Sequence, residues 1–83
     1  MDNWIHEDNS LVKNFNFGDF KQAFSFMTEV ALYAETMDHH PAWHNVYNKV
    51  KITLNTHEAG NIVTEKDRRL AEIIDKVYLK FQG

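Results

Sequence analysis

From Ile5 the chain reads as two short extended stretches parted by the turn-prone Glu7-Asp8-Asn9-Ser10. Leu11, Lys13, Phe15 and Phe17 then fall on one side of a two-residue period, with Val12, Asn14 and Asn16 on the other. Successive side chains of a strand point to opposite faces, so this alternation predicts a β-hairpin over Ile5 to Phe17. At Gly18 the period changes. Asp19 can cap a helix, and Phe20, Ala23, Phe24, Met27, Val30, Ala31 and Ala34 recur at helical spacing. Phe26, Tyr33 and Met37 widen this stripe to roughly half the circumference, more than packing on one surface requires. The surplus predicts a second partner for the helix; the alternative is that Phe26 and Tyr33 are half-buried. Pro41 ends the helical geometry by restricting His40. Asn45 to Thr56 is rich in β-branched and aromatic residues, which predicts a second hairpin carrying Val46, Val50, Ile52 and Leu54 around a turn at Asn48-Lys49. His57 to Val63, with Gly60-Asn61 inside it, reads as a loop. Thr64 opens a last helix, where Asp67 completes a capping-box pattern and Leu70, Ile73, Ile74, Val77, Tyr78 and Phe81 form the apolar stripe. The order ββαββα predicts an α+β fold, a four-stranded antiparallel sheet with two helices packed on one face.

Composition narrows what such a domain can do. No linker, repeat or low-complexity stretch divides the 83 residues, so 1–83 reads as one domain. A chain of this size buries only about 60–65% of its unfolded surface, and self-association would compensate for the small core. Net charge is −3, the wrong sign for a phosphate-backbone binder, and no direct nucleic-acid partner is expected. The absence of cysteine excludes disulfides, thiolate catalysis and Cys-based zinc sites. No apolar run reaches the roughly 18 residues of a membrane span, and Met1-Asp2-Asn3 is unlike a signal peptide, so the expectation is a cytoplasmic protein without membrane contact.

The unusual feature is five histidines, two of them adjacent and followed by the one proline. Three readings compete for the polar stretch Glu35 to His44 and for Thr56-His57-Glu58. Metal binding uses these residue types, but adjacent histidines before a proline do not share a face, and the HExxH spacing is absent. A structural reading has His39 complement a helix C-terminus and Pro41 stop the helix, which leaves His40 and Trp43 unexplained. The third reading is an acid–base site, because imidazole exchanges protons near neutral pH and Trp43 offers an aromatic wall for a flat substrate. Glycines at 18, 60 and 83 cannot form a phosphate-binding loop, and no GxSxG is present. Chemistry on this chain would therefore be cofactor-free proton transfer.

Glu35-(x3)-His39-His40-Pro41, the following Trp43, Asn45-Val46-Tyr47-Asn48-Lys49-Val50, Thr56-His57 and Asp67 together resemble the signature of the pterin-4a-carbinolamine dehydratases, over about Trp4 to Val77. The resemblance implies dehydration of 4a-hydroxytetrahydropterin (4a-hydroxytetrahydrobiopterin), left by aromatic amino-acid hydroxylases, to quinonoid dihydropterin and water, with no cofactor and no metal. It implies a catalytic set of His39, His57 and His40, with His39 and His57 as general acid and base and His40 binding substrate. Asp38 to His40 and Asn55, Thr56, His57 and Glu58 would line the pterin pocket, Pro41 and Trp43 would shape its wall, and Glu35 would hydrogen-bond near the histidines. Asp67 belongs to the pattern, although its capping role is reason enough for it. His6 and His44 lie outside the pattern and read as surface residues. Family members usually carry a helix before the first hairpin that has no counterpart here, and the loop from His57 to Asp67 resembles a longer variant. The family also implies a homodimer or homotetramer and a hydroxylase as functional partner. Animal relatives serve as dimerisation cofactors of a transcription factor, an alternative role in which Phe26, Tyr33 and Met37 would carry the contact.

Overall fold

The computed structural model describes residues 3–82. Strands β1 (Ile5–Glu7) and β2 (Ser10–Asn16) close around Asp8 and Asn9, both at positive φ. A two-residue turn of this kind follows the strand twist, and Asp and Asn tolerate the left-handed region better than other side-chain-bearing residues. Helix α1 (Phe20–Met37) starts as expected at Asp19, whose carboxylate accepts the Gln22 N–H at 2.8 Å.

Strands β3 (Ala42–Val46) and β4 (Lys49–Leu54) pair from Val46 opposite Lys49, so the turn lies at Tyr47-Asn48, one residue before the expected position. Side chains set that register. Asn45 donates to the Tyr47 and Lys49 carbonyls, and Asn48 donates to the Phe17 carbonyl at 2.9 Å, tying this turn to the first hairpin. A single 3-10 turn, η1 (His57–Ala59), precedes helix α2 (Glu65–Leu79).

The sheet order is β1-β2-β4-β3, antiparallel throughout. Leu11, Phe15, Val50, Ile52 and Leu54 share its inner face and form one core with Ala23, Phe26 and Val30 of α1 and Leu70, Ala71, Ile74 and Val77 of α2. The α+β prediction of two helices against a four-stranded sheet is thus met.

The phase of α1 differs from the expected stripe. Phe26 is 0% exposed and belongs to the core, its ring 5.1 Å from Phe15 and 4.9 Å from Phe17. Phe20, Phe24 and Ala31, placed in the stripe by periodicity, face solvent, whereas Met27 and Met37 are half-buried. Phe26 and Phe20 lie on opposite flanks of Ala23 at about 100° per residue. The aromatic cluster of Phe15, Phe17 and Tyr78 selects the Phe26 flank. Phe26 therefore cannot carry an external contact, and the large exposed apolar residues of α1 are Phe20, Phe24, Leu32 and Tyr33.

Candidate active site

The end of α1 separates the two adjacent histidines. Asp38 adopts the left-handed conformation (φ 52°) that closes the helix, its N–H bonded to the Glu35 carbonyl, and the His39 N–H still reaches the Ala34 carbonyl. The chain then turns away, leaving His39 6% exposed and His40 in solvent.

His39 is held by Asp67, a carboxylate with no exposed surface at the first turn of α2. A buried carboxylate needs donors. Its Oδ2 accepts from the Thr64 N–H and the Thr56 hydroxyl, both at 2.8 Å, and its Oδ1 lies 2.6 Å from His39 Nε2. Thr64 and Asp67 close the capping box in both directions, and the Thr56 and Thr64 hydroxyls meet at 2.6 Å. Because the carboxylate only accepts, His39 carries a proton on Nε2, the ring nitrogen that faces Asp67.

The other two imidazoles are each tied by one nitrogen. His40 Nε2 lies 2.8 Å from Glu35 Oε1. This hydrogen bond raises the His40 pKa above its ordinary value; partial desolvation opposes it, and the charges of Glu35 and Asp38 add to it. His57 Nδ1 lies 3.1 Å from Asn61 Oδ1, within the segment that follows β4. Next to it, Glu58 has its pKa lowered, first by its own backbone N–H, against partial desolvation and with help from Lys66, His57 and His39.

Asp38, His39, His40, Asn55, His57 and Glu58 line one open cavity of about 250 Å³. Of the residues singled out in the sequence, Glu35 and Thr56 stand behind it, bonded to His40 and to Asp67. Pro41 and Trp43 are outside its lining. Trp43 packs against the core from β3 and borders a separate concavity with Ala42, His44, Lys51 and Thr53. His6 is exposed on β1. A larger concavity of about 700 Å³ runs past Ile5, Glu7, Asn14 and Lys51, but no histidine lines it. Among the described residues, no three His, Asp or Glu side chains gather as a metal-holding group, and no helix is long and apolar enough to cross a membrane.

Sequence reasoning missed two partners of the imidazoles. The capping pattern located Asp67, yet nothing in it showed that the second oxygen meets a histidine 28 positions away. Asn61 was visible only as half of a turn-prone Gly-Asn pair.

Residues 1–77 match the family described as pterin 4 alpha carbinolamine dehydratase. A Prochlorococcus marinus (strain NATL2A) protein named "Putative pterin-4-alpha-carbinolamine dehydratase" is 53% identical over 74 residues, 89% of this chain and 77% of that protein. A Paraburkholderia xenovorans (strain LB400) protein of the same name is 59% identical over 68 residues, 82% of this chain and 70% of that one. Among solved structures, a transcriptional coactivator/pterin dehydratase from Brucella melitensis superposes with a TM-score of 0.90 at 44% identity, covering 94% of this chain and 84% of that one. A pterin dehydratase-like protein described as a RuBisCO assembly factor in the alpha-carboxysome gives 0.75 at 27% identity, over 90% and 88% of the two chains. With its α+β fold and a match running through most of α2, the chain belongs to the pterin 4 alpha carbinolamine dehydratase family.

Proposed function

We propose that this protein dehydrates a 4a-hydroxytetrahydropterin to quinonoid dihydropterin and water, with histidines as acid and base. One observation carries the reading. His39, His40 and His57 surround a single cavity, and each has one ring nitrogen held by a different partner, Asp67, Glu35 or Asn61. In the reaction the C4a–O bond breaks and the departing hydroxyl takes a proton from one imidazolium, leaving as water. A proton of the pterin ring passes to a second imidazole, so the enzyme ends with the protons it began with. His39 and His57 are the acid–base pair. His40, kept protonated to higher pH by Glu35, binds the substrate together with Asp38, Asn55 and Glu58. Pro41 fixes the backbone after the two histidines, and Trp43 anchors the segment to the core. The product would re-enter the cofactor pool of an aromatic amino-acid hydroxylase.

A coupled hydroxylase assay tests this. The purified protein accelerates loss of the 4a-hydroxy intermediate, and His39→Ala and His57→Ala each lower the rate by roughly 10²-fold or more, the scale of a positioned acid or base. His40→Ala raises KM more than it lowers kcat. Folded wild-type protein that gave no acceleration over buffer would sink the proposal.

A second reading, a protein-binding module such as a coactivator of a transcription factor, is favoured by the apolar surface of α1, where Phe24 is 55% and Leu32 66% exposed. The same surface, with the open edge of β3, suits assembly into a homodimer or homotetramer. Phe24→Glu with Leu32→Glu separates the two roles: a dehydratase keeps its turnover per site, whereas a binding module loses its partner.

A further inference from the structure

The loop after β4 is built around His57. Thr56 closes it by donating its N–H to the Ile62 carbonyl at 2.8 Å, and the Thr56 carbonyl accepts from Asn61 N–H at 3.0 Å. Gly60 and Asn61 both lie in the left-handed region, φ 92° and 61°, which folds the chain back over the 3-10 turn. The result is that the Asn61 side-chain carbonyl meets His57 Nδ1 at 3.1 Å.

We infer that Asn61 is a positioning residue, whose carbonyl holds His57 as the Nδ1–H tautomer and so reserves Nε2 for the substrate. The chemistry is simple. A neutral imidazole has one N–H and one lone pair, and a carbonyl oxygen can only accept. The nitrogen facing Asn61 must therefore carry the proton. The contrast with His39 gives the arrangement its sense, because Asp67 places the proton on Nε2 there and leaves Nδ1 as the second ring nitrogen. The two imidazoles thus bond their partners through opposite ring nitrogens, and both residues line one space with Asp38, His40, Asn55 and Glu58. The choice of Asn fits both demands of the position, since it tolerates positive φ and carries an acceptor on a short side chain.

The inference rests on the dehydratase reading for its consequence but not for its first measurement. Side-chain ¹⁵N NMR of the substrate-free protein above the imidazole titration reads the tautomer directly. In wild type, His57 shows a protonated Nδ1 and a bare Nε2. Asn61→Gly keeps the left-handed backbone without strain and removes the carbonyl; it relaxes His57 to a mixture of tautomers and lowers kcat by up to about a hundredfold, with a smaller change in KM. Asn61→Asp, which retains an acceptor and tolerates the same φ, restores the Nδ1–H tautomer. A wild-type Nε2–H signal, the result of the Asn61 amide donating instead, overturns the inference. So does an Asn61→Gly variant with the wild-type tautomer or the wild-type kcat. Since the NMR arm needs no substrate, it stands apart from whether the protein turns over a pterin.

Discussion

Asp67 divides its two oxygens between the start of α2 and the ring of His39, so one substitution reads out both. In Asp67→Asn a single acceptor replaces two, and the amide must turn a donor either toward the Thr64 N–H and Thr56 hydroxyl or toward His39. Loss of an acceptor for a buried donor costs about 1–3 kcal/mol. A drop in urea midpoint and a kcat loss of about 10²-fold or more are the expected pair of results; catalytic loss without destabilisation would show that the cap is idle. The Glu35 carboxylate bonds His40. Its hydrogen bond raises the folded-state pKa, so the Glu35–His40 pair helps the fold below the unfolded pKa and that help fades as pH climbs through the folded one. Glu35→Gln brings the His40 titration back toward its ordinary value, which a proton-NMR titration of the ring measures. At this scale, sequence gave residue types but not pairings. His39 and Asp67 sit on different elements, and only the packing of α2 beside the end of α1 brings them together.

The elements themselves were largely legible where a local rule governs them. Asp8-Asn9 makes a two-residue turn, Asp19 caps α1, and Thr64 with Asp67 boxes the start of α2, all from side chains acting within a few positions. What failed was decided at longer range. An apolar arc of roughly half a helix has two flanks of equal merit, and the ring cluster of Phe15, Phe17 and Tyr78 chose between them for α1. The second turn moved by one residue because Asn48 reaches across to Phe17. The core assignment makes a sharp prediction. Phe26→Ala costs about 3–5 kcal/mol, whereas Phe24→Ala changes stability by about 0.5 kcal/mol or less. Urea unfolding of both variants, followed by far-UV circular dichroism, compares them; equal midpoints would contradict the phase of α1.

For the whole molecule, β3 is an edge strand that ends in exposed Val46, with exposed Tyr47 in the turn after it, and α1 displays Phe20, Phe24, Leu32 and Tyr33. Exposed edges and apolar faces tend to be paired, and a closed symmetric assembly would enlarge a small core. Light scattering at micromolar concentration is expected to give a dimer or tetramer; a mass near 9.8 kDa would refute self-association. Tyr33→Glu and Leu32→Glu lower the mass if the α1 face is shared, and leave it unchanged if only strand edges meet. The two proposed proton-transfer groups also belong to regions that open at different cost. His39 is pinned to a fully buried carboxylate, whereas the turn η1 that carries His57 has no buried residue and is held by the turn bonds of Ala59, Gly60 and Asn61 and the His57–Asn61 side-chain bond. Local opening of such a segment needs no global unfolding. Amide hydrogen exchange at Gly60 and Asn61 is therefore expected to outpace that at Leu70 and Ile74 by orders of magnitude, and mild urea should silence turnover while the helices still read as native.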